Sequence, residues 1–150
     1  MRFARVVSCV VCLAFAGATL TGCNLFGPPK DKNAPLIPAA NAPIADVPLP
    51  AGFTMVTSDS TSKVIPGNKI RFVDHHYKGE DDVLPVVKFY REQMPERGWN
   101  LVDQNQAKGN EVSLHYTKNS EDCYVTINPS GFGFTYIRIR IDPMGRDAAK

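Results

Sequence analysis

Three histidines are the side chains of this sequence best suited to binding a metal. His75 and His76 are adjacent, so in an extended strand their imidazoles point to opposite faces and make a poor chelating pair. His115 lies far along the chain, and no ligand spacing such as HExxH or CxxC supports a metal with these histidines. We therefore predict no metal site, and solvent-exposed or turn-capping histidines are the favoured interpretation.

Cys123 is the second candidate for chemistry, because a thiol beside His115 could form a nucleophile and base pair. The two residues have opposite parity in their predicted strands, which separates them. A thiol in the core also has a raised pKa, which disfavours the reactive thiolate. The sequence contains no GxSxG, Walker or GxGxxG motif. It therefore predicts neither an enzyme nor a cofactor.

Aromatic and arginine side chains near the C-terminus form a candidate binding surface. Alternation along the predicted strand 132–141 places them opposite Ile137, Ile139 and Ile141. Aromatic residues and arginine are enriched at binding hot spots. Aromatic residues also pair across strands simply to stabilise a sheet, and this interpretation stays open. The candidate binding residues are Phe134, Tyr136, Arg138 and Arg140.

The elements that would position these residues form one small domain, residues 51–144. Short turns between the predicted strands require antiparallel neighbours. The sequence predicts an α+β fold, an antiparallel β-sheet in the order β-β-α-β-β-β-β with one helix packed on one face. The strands are predicted at 53–56, 69–78, 99–106, 111–118, 123–128 and 132–141, with a polar loop at 58–63 and a polar tail at 145–150.

The helix is predicted between Gly79 and Gly98. Residues 80–82 are acidic and suit a helix N-terminus, whereas the spaced oxygen ligands of a calcium loop are missing. Pro95 disfavours continuation of the helix, Gly98 suits a left-handed stop, and Trp99 should enter the core. The apolar stripe at three- and four-residue spacing comprises Val83, Val86, Val87, Tyr90 and Met94.

Strand parity predicts which side chains lie beneath this helix. Every second residue of the last three strands is apolar, and the intervening positions are mostly polar or aromatic. An antiparallel sheet can cover one face and leave the other in water. The predicted core residues are Val112, Leu114, Tyr116, Cys123, Val125, Ile127, Ile137, Ile139 and Ile141.

The N-terminus has the layout of a secretory signal peptide, residues 1–22. A cationic head (1–5) precedes an uncharged apolar block (6–18), which is too short to span a bilayer. The sequence Leu20-Thr21-Gly22-Cys23 follows and resembles the lipobox of bacterial lipoproteins. That resemblance implies that Cys23 is acylated and starts the mature chain. With Asn24 next, it favours the outer membrane, facing the periplasm. An ordinary signal with a coincidental cysteine is the alternative.

Cleavage would leave fifteen basic and fifteen acidic residues, so the mature chain would be formally neutral. Neutrality argues against nucleic acid as a partner and against a polybasic membrane patch. Cys123 would be the one remaining thiol, which excludes an internal disulfide. Residues 23–50 contain seven of the twelve prolines and are predicted to be a semi-stiff tether. A docking site for a proline-binding partner is the alternative for this segment.

The stretch from Val87 to Trp99 is similar to a pattern in small exported bacterial proteins of uncharacterised function. In that pattern a helix ends in Gly-Trp and leads into a strand, so the resemblance implies a fold and no activity. Two functions therefore remain. The preferred one is an envelope lipoprotein whose tethered domain is a non-catalytic protein-interaction module. The alternative is a small-ligand-binding module that uses the aromatic and arginine face.

Overall fold

The computed structural model describes residues 34–67 and 70–144 of the chain. The predicted signal peptide (1–22), the lipidation site Cys23 and the polar tail (145–150) lie outside the described residues. The α+β class is confirmed. The elements are β1 (Thr54–Met55), a 3₁₀ turn (Thr57–Asp59), β2 (Thr61–Ile65), β3 (Ile70–Gly79), α1 (Val83–Glu96), β4 (Asn100–Gln106), β5 (Val112–Lys118), β6 (Glu121–Pro129) and β7 (Thr135–Pro143).

All strands join one antiparallel sheet in the order β1-β3-β7-β6-β5-β4. β2 pairs with the first half of β3, and β1 pairs with its end, so both lie along the same edge. β2 occupies part of the segment that we predicted as a polar loop at 58–63, so the predicted order lacks one strand. The sequence pattern did not predict β2, because this strand is exposed along most of its length and shows no alternation of buried and exposed residues.

One face of the sheet carries the core, and the predicted parity is confirmed. All nine predicted core residues of β5, β6 and β7 are buried, including Cys123. The helix contributes Val86, Val87, Tyr90 and Met94 as predicted, together with Phe89. The open face carries the intervening side chains, so the two faces differ sharply in composition.

The predicted C-terminal end of the helix is confirmed only in part. Pro95 was expected to disfavour continuation, yet α1 includes it and ends at Glu96. Gly98 adopts the expected left-handed conformation with φ of 82°. The amide of Trp99 then donates to the carbonyl of Met94 at 3.1 Å, which closes the last turn.

Residues 38–50, here called the proline loop, pack on the domain. Pro38 and Pro50 form an isolated β-bridge, and the amide of Ala39 donates to the carbonyl of Leu49 at 2.8 Å. Ile44, Val47 and Leu49 are buried in the core cluster. The domain therefore includes residues that we assigned to the tether at 23–50. Proline restricts helix and central strand but does not prevent a loop from burying apolar side chains.

Candidate functional site

The predicted binding residues lie in a row on or beside the open face of the sheet. In β7, Tyr136, Arg138 and Arg140 stand opposite Lys78, His76 and Asp74 of β3. Phe134 immediately precedes β7. The structure therefore brings all four predicted residues together. Whether these four side chains can bind a partner depends on the contacts that they already make with their neighbours.

Arg138 is held by a carboxylate of its own chain. Its guanidinium donates two hydrogen bonds to Asp74, at 2.8 Å from Nε and 2.6 Å from Nη2. This bidentate contact lowers the pKa of Asp74. His76 lies on the same carboxylate, with Nε2 3.3 Å from Oδ1. An anionic ligand would have to compete with Asp74 for this arginine.

Arg140 also lies beside a carboxylate of its own chain, in an ion pair. Its Nε lies 2.9 Å from Oδ2 of Asp142, and its guanidinium lies 4.7 Å from the ring centre of Tyr124. Tyr124 in turn stacks on His115, with ring centres 4.4 Å apart and planes 10° from parallel. His115 Nε2 lies 2.8 Å from Oδ1 of Asp122. These contacts connect Arg140, Tyr124 and His115 across this half of the open face.

Phe134 and Tyr136 form the other half of the row with one lysine. Lys78 Nζ lies 3.8 Å from the ring centre of Phe134 and 5.8 Å from that of Tyr136. The Tyr136 side chain is 40% exposed. A cation over two partly exposed rings leaves apolar surface available to a partner.

The remaining candidates for chemistry are separated, as predicted. His75 is buried, with Nδ1 3.0 Å from the hydroxyl of Tyr77, whereas His76 lies on the open face. Burial lowers the pKa of His75 and raises that of the Cys123 thiol. Among residues 34–67 and 70–144, no three His, Cys, Asp or Glu side chains come together as a metal site would need.

A groove of about 890 Å³, which the sequence analysis did not predict, lies between the helix and one end of the sheet. Its walls come from the first half of α1, the adjoining ends of β4 to β7 with the turns that connect them, and residues 34–36. The larger aliphatic or aromatic side chains on these walls are Leu36, Val83, Leu84, Phe89, Val112 and Phe134. Phe134 is therefore the one predicted site residue that also belongs to the groove.

Small and large side chains both line this end of the layer. Here the helix presents Val83 and Pro85, and the sheet presents Val112 and Thr135. Lys88 and Glu92 bring both signs of charge to the groove, with Nζ and Oε1 3.9 Å apart and both side chains mostly exposed. An apolar wall with polar groups at its margin suits an apolar or amphipathic molecule.

A sequence signal for the groove existed. Leu84, Lys88 and Glu92 repeat at four-residue spacing beside the buried stripe, so they share a neighbouring face of the helix. An exposed leucine on that face was the visible clue. The empty volume itself depends on how far helix and sheet are held apart, and sequence periodicity does not encode that distance.

Comparisons with known proteins give one match. A family model described as START domain-like matches residues 67–142, just over half of the chain. No curated protein and no solved structure matches. The matched stretch contains α1, β4, β5 and β6, which supply much of the groove. In the described part of the chain, no helix is both long enough and apolar enough to span a membrane.

Proposed function

The chain belongs to the START domain-like family, and on this basis we propose that its domain binds a small apolar or amphipathic ligand in the groove. Domains of this kind generally bind ligands. The observation that carries the proposal is the unfilled volume of about 890 Å³ between helix and sheet. That volume falls within the roughly 300–1,000 Å³ range typical of small-molecule sites.

The groove supports ligand binding better than the open face does. On the open face, Arg138 and Arg140 already contact Asp74 and Asp142, so a ligand would displace existing ion pairs. In the groove, Val83, Val112 and Phe134 present apolar surface to an unfilled volume. A small ligand, which the sequence left open as an alternative, would therefore bind in the groove and not on the sheet face.

We also propose that the domain is attached to a membrane of the bacterial envelope through acylated Cys23. The resemblance of Leu20-Thr21-Gly22-Cys23 to a lipobox supports this attachment. Each buried methylene of an acyl chain contributes about 0.8 kcal/mol, so stable anchoring requires more than one chain. The multiply acylated cysteine that the resemblance implies would meet that requirement.

A protein partner at the open face is the second candidate function. It is favoured by the partly exposed rings of Phe134 and Tyr136 around Lys78. Photocrosslinking in cells from position 136 of the acylated chain should then give a discrete band that Lys78→Ala weakens. A smear, or a band that this change leaves intact, would remove the support for this partner.

Ligand binding is tested by native mass spectrometry of the full chain released from detergent micelles. Palmitate is the probe, and a non-covalent adduct should appear on the wild-type mass. Val83→Trp places an indole in the groove and should abolish the adduct. Val64→Trp is the matched control, because Val64 is 65% exposed on β2, at the opposite end of the sheet.

The same spectra report on the anchor. A mature mass that begins at Cys23 and includes covalent acyl chains would support acylation, and an intact N-terminus would contradict it. For the groove, two results would be decisive against the proposal. One is the lack of any palmitate adduct on the wild type, and the other is an adduct that survives Val83→Trp.

A further inference from the structure

Phe134 takes part in two regions of the molecule. Its ring is one wall of the groove, and the same ring lies beside the ammonium of Lys78, with Nζ 3.8 Å from the ring centre. Lys78 is not among the groove walls, because it belongs to the open face of the sheet, opposite Tyr136. One wall of the groove is therefore in contact with a charged side chain that lies outside the groove.

The backbone of Lys78 is held on both sides within the sheet. Thr54 of β1 pairs with it on one side, and Tyr136 of β7 pairs with it on the other. Among residues 34–67 and 70–144, no carboxylate forms an ion pair with its ammonium. The ammonium lies instead over the rings of Phe134 and Tyr136, 5.8 Å from the second ring centre. Lys78 is thus a cation at a well-defined position with aromatic neighbours.

The backbone at Phe134 is held less regularly. Phe134 precedes the first residue of β7 and follows a turn with two glycines, of which Gly133 has φ of 75°. The amide of Ser130 donates to the carbonyl of Phe134 at 2.7 Å, which closes the turn but does not orient the ring. The orientation of the ring is therefore set by its side-chain contacts, and a cation over its face is a directional one.

We propose that Lys78 is a positioning residue for the groove, because it holds the ring of Phe134 as a wall and keeps the ring out of the space that a ligand would fill. The proposal rests on the proposed function, since it assigns a role at that same ligand site. A ring that loses this cation can turn about its side-chain bonds. The unfilled volume beside it then offers apolar surface to cover, so the ring would compete with the ligand.

Palmitate titration of the full chain, followed by native mass spectrometry, measures this effect. Lys78→Met removes the charge and keeps the length of the side chain, so it should weaken palmitate binding by about two- to fivefold. Lys78→Arg restores a cation over the ring and should recover most of the affinity. The matched control is Lys63→Met, which removes the same charge from an exposed position on β2, opposite Phe72, and should have no effect.

An uncharged probe separates positioning of the ring from direct attraction between Lys78 and a carboxylate. Hexadecanol has the chain length of palmitate without its charge, so Lys78→Met should weaken both ligands alike if Phe134 carries the effect. Weakening confined to palmitate would mean that Lys78 acts on the charge of the ligand, and the proposal would be wrong. Equal affinities of wild type and Lys78→Met, or a loss that Lys78→Arg does not recover, would also overturn it.

The ring itself gives a measurement that does not depend on any ligand. We would place para-fluorophenylalanine at position 134 of the full chain and compare its fluorine chemical shift between wild type, Lys78→Met and Lys78→Arg. Lys78→Met should move the signal, and Lys78→Arg should return it towards the wild-type position. Added palmitate should move the Lys78→Met signal in the same direction, because the ligand displaces the ring from the groove. A signal that Lys78→Met leaves unmoved would contradict a positioning role.

The two proposals can fail separately. If the wild type forms no palmitate adduct but the fluorine signal moves with Lys78→Met, Lys78 positions the ring and the proposed ligand function is wrong. If the adduct forms with equal affinity in both chains and the signal does not move, the groove binds ligand without help from Lys78. Lys78→Met and Lys63→Met should unfold at similar denaturant concentrations, which would exclude a general loss of stability as the cause of weaker binding.

Discussion

The two ends of the layer between α1 and the sheet are built differently. At the end of the helix, Tyr90, Met94 and Trp99 are fully buried, and the proline loop covers them. At the start of the helix, Val83 is only partly buried and lines the unfilled groove. One helix therefore separates a closed, stabilising end from an open end available for binding.

Local contacts strengthen this difference. Gly98 and Trp99 close the last turn of the helix, and the indole of Trp99 donates to the backbone carbonyl of Asp46 at 2.8 Å. At the other end, the N-cap residue Asp82 makes no side-chain capping hydrogen bond, so the expected acidic cap contributes its charge alone. Binding regions are commonly drawn from the less stable parts of a fold.

Side-chain charges fasten the proline loop at the closed end. Arg71 donates to Asp46 at 2.7 Å and to Glu121 at 2.8 Å, and Lys118 Nζ lies 2.9 Å from Asp46. Lys118 also lies 5.4 Å from the ring centre of Trp99. Loop, helix end and sheet therefore meet around one tryptophan and one aspartate.

Removal of Trp99 should have the largest effect on the closed end. Trp99→Ala leaves a cavity beneath the proline loop and should lower the free energy of unfolding by about 3–5 kcal/mol. Chemical denaturation of the full chain measures this change. Trp99→Phe keeps most of the packing and loses the hydrogen bond to Asp46, so it should cost distinctly less. Equal losses for both variants would mean that the hydrogen bond dominates.

Acid should weaken the closed end next. Burial raises the pKa of Asp46, but hydrogen bonds from Arg71 and Lys118 outweigh it and hold the pKa at about 2. A lowered pKa stabilises the fold above the unfolded value near 3.8, and this contribution disappears as the pH falls from about 4 to about 2. The Asp46 side chain is 26% exposed, so solvent screening should keep this contribution below about 2 kcal/mol.

The control for this prediction is Asp46→Asn, which cannot titrate. Its free energy of unfolding should fall less than that of the wild type between pH 5 and pH 2. Burial also lowers the pKa of His75, so protonation of this histidine destabilises both chains below about pH 6.5 and cancels in the comparison. Parallel pH profiles for the two chains would show that Asp46 does not fasten the loop.

The sequence predicted the helix side of the closed end, but it predicted neither the packed proline loop nor the groove. The helix stripe, the Gly98 stop and the burial of Trp99 follow from periodicity and local chemistry, which residue order encodes directly. The position of the proline loop depends on long-range contacts such as Asp46 with Arg71, and no local pattern reports these.

On the open face of the sheet, which is a different region from the groove, alternation placed Arg138 and Arg140 correctly. Their ion pairs depend on strand register.

Placing the same side chain at a packed position and at a groove-lining position, one helical turn apart, tests whether the groove is open. Val86 is completely buried beneath the helix, so Val86→Trp must displace packed neighbours and should cost about 1–3 kcal/mol or more. Val83 lines the groove, where an indole has room, so Val83→Trp should change the free energy of unfolding by less than about 1 kcal/mol. Both are measured by chemical denaturation of the full chain. A cost at Val83 equal to that at Val86 would mean that the groove is closed in solution, and the proposed ligand site would lose its basis.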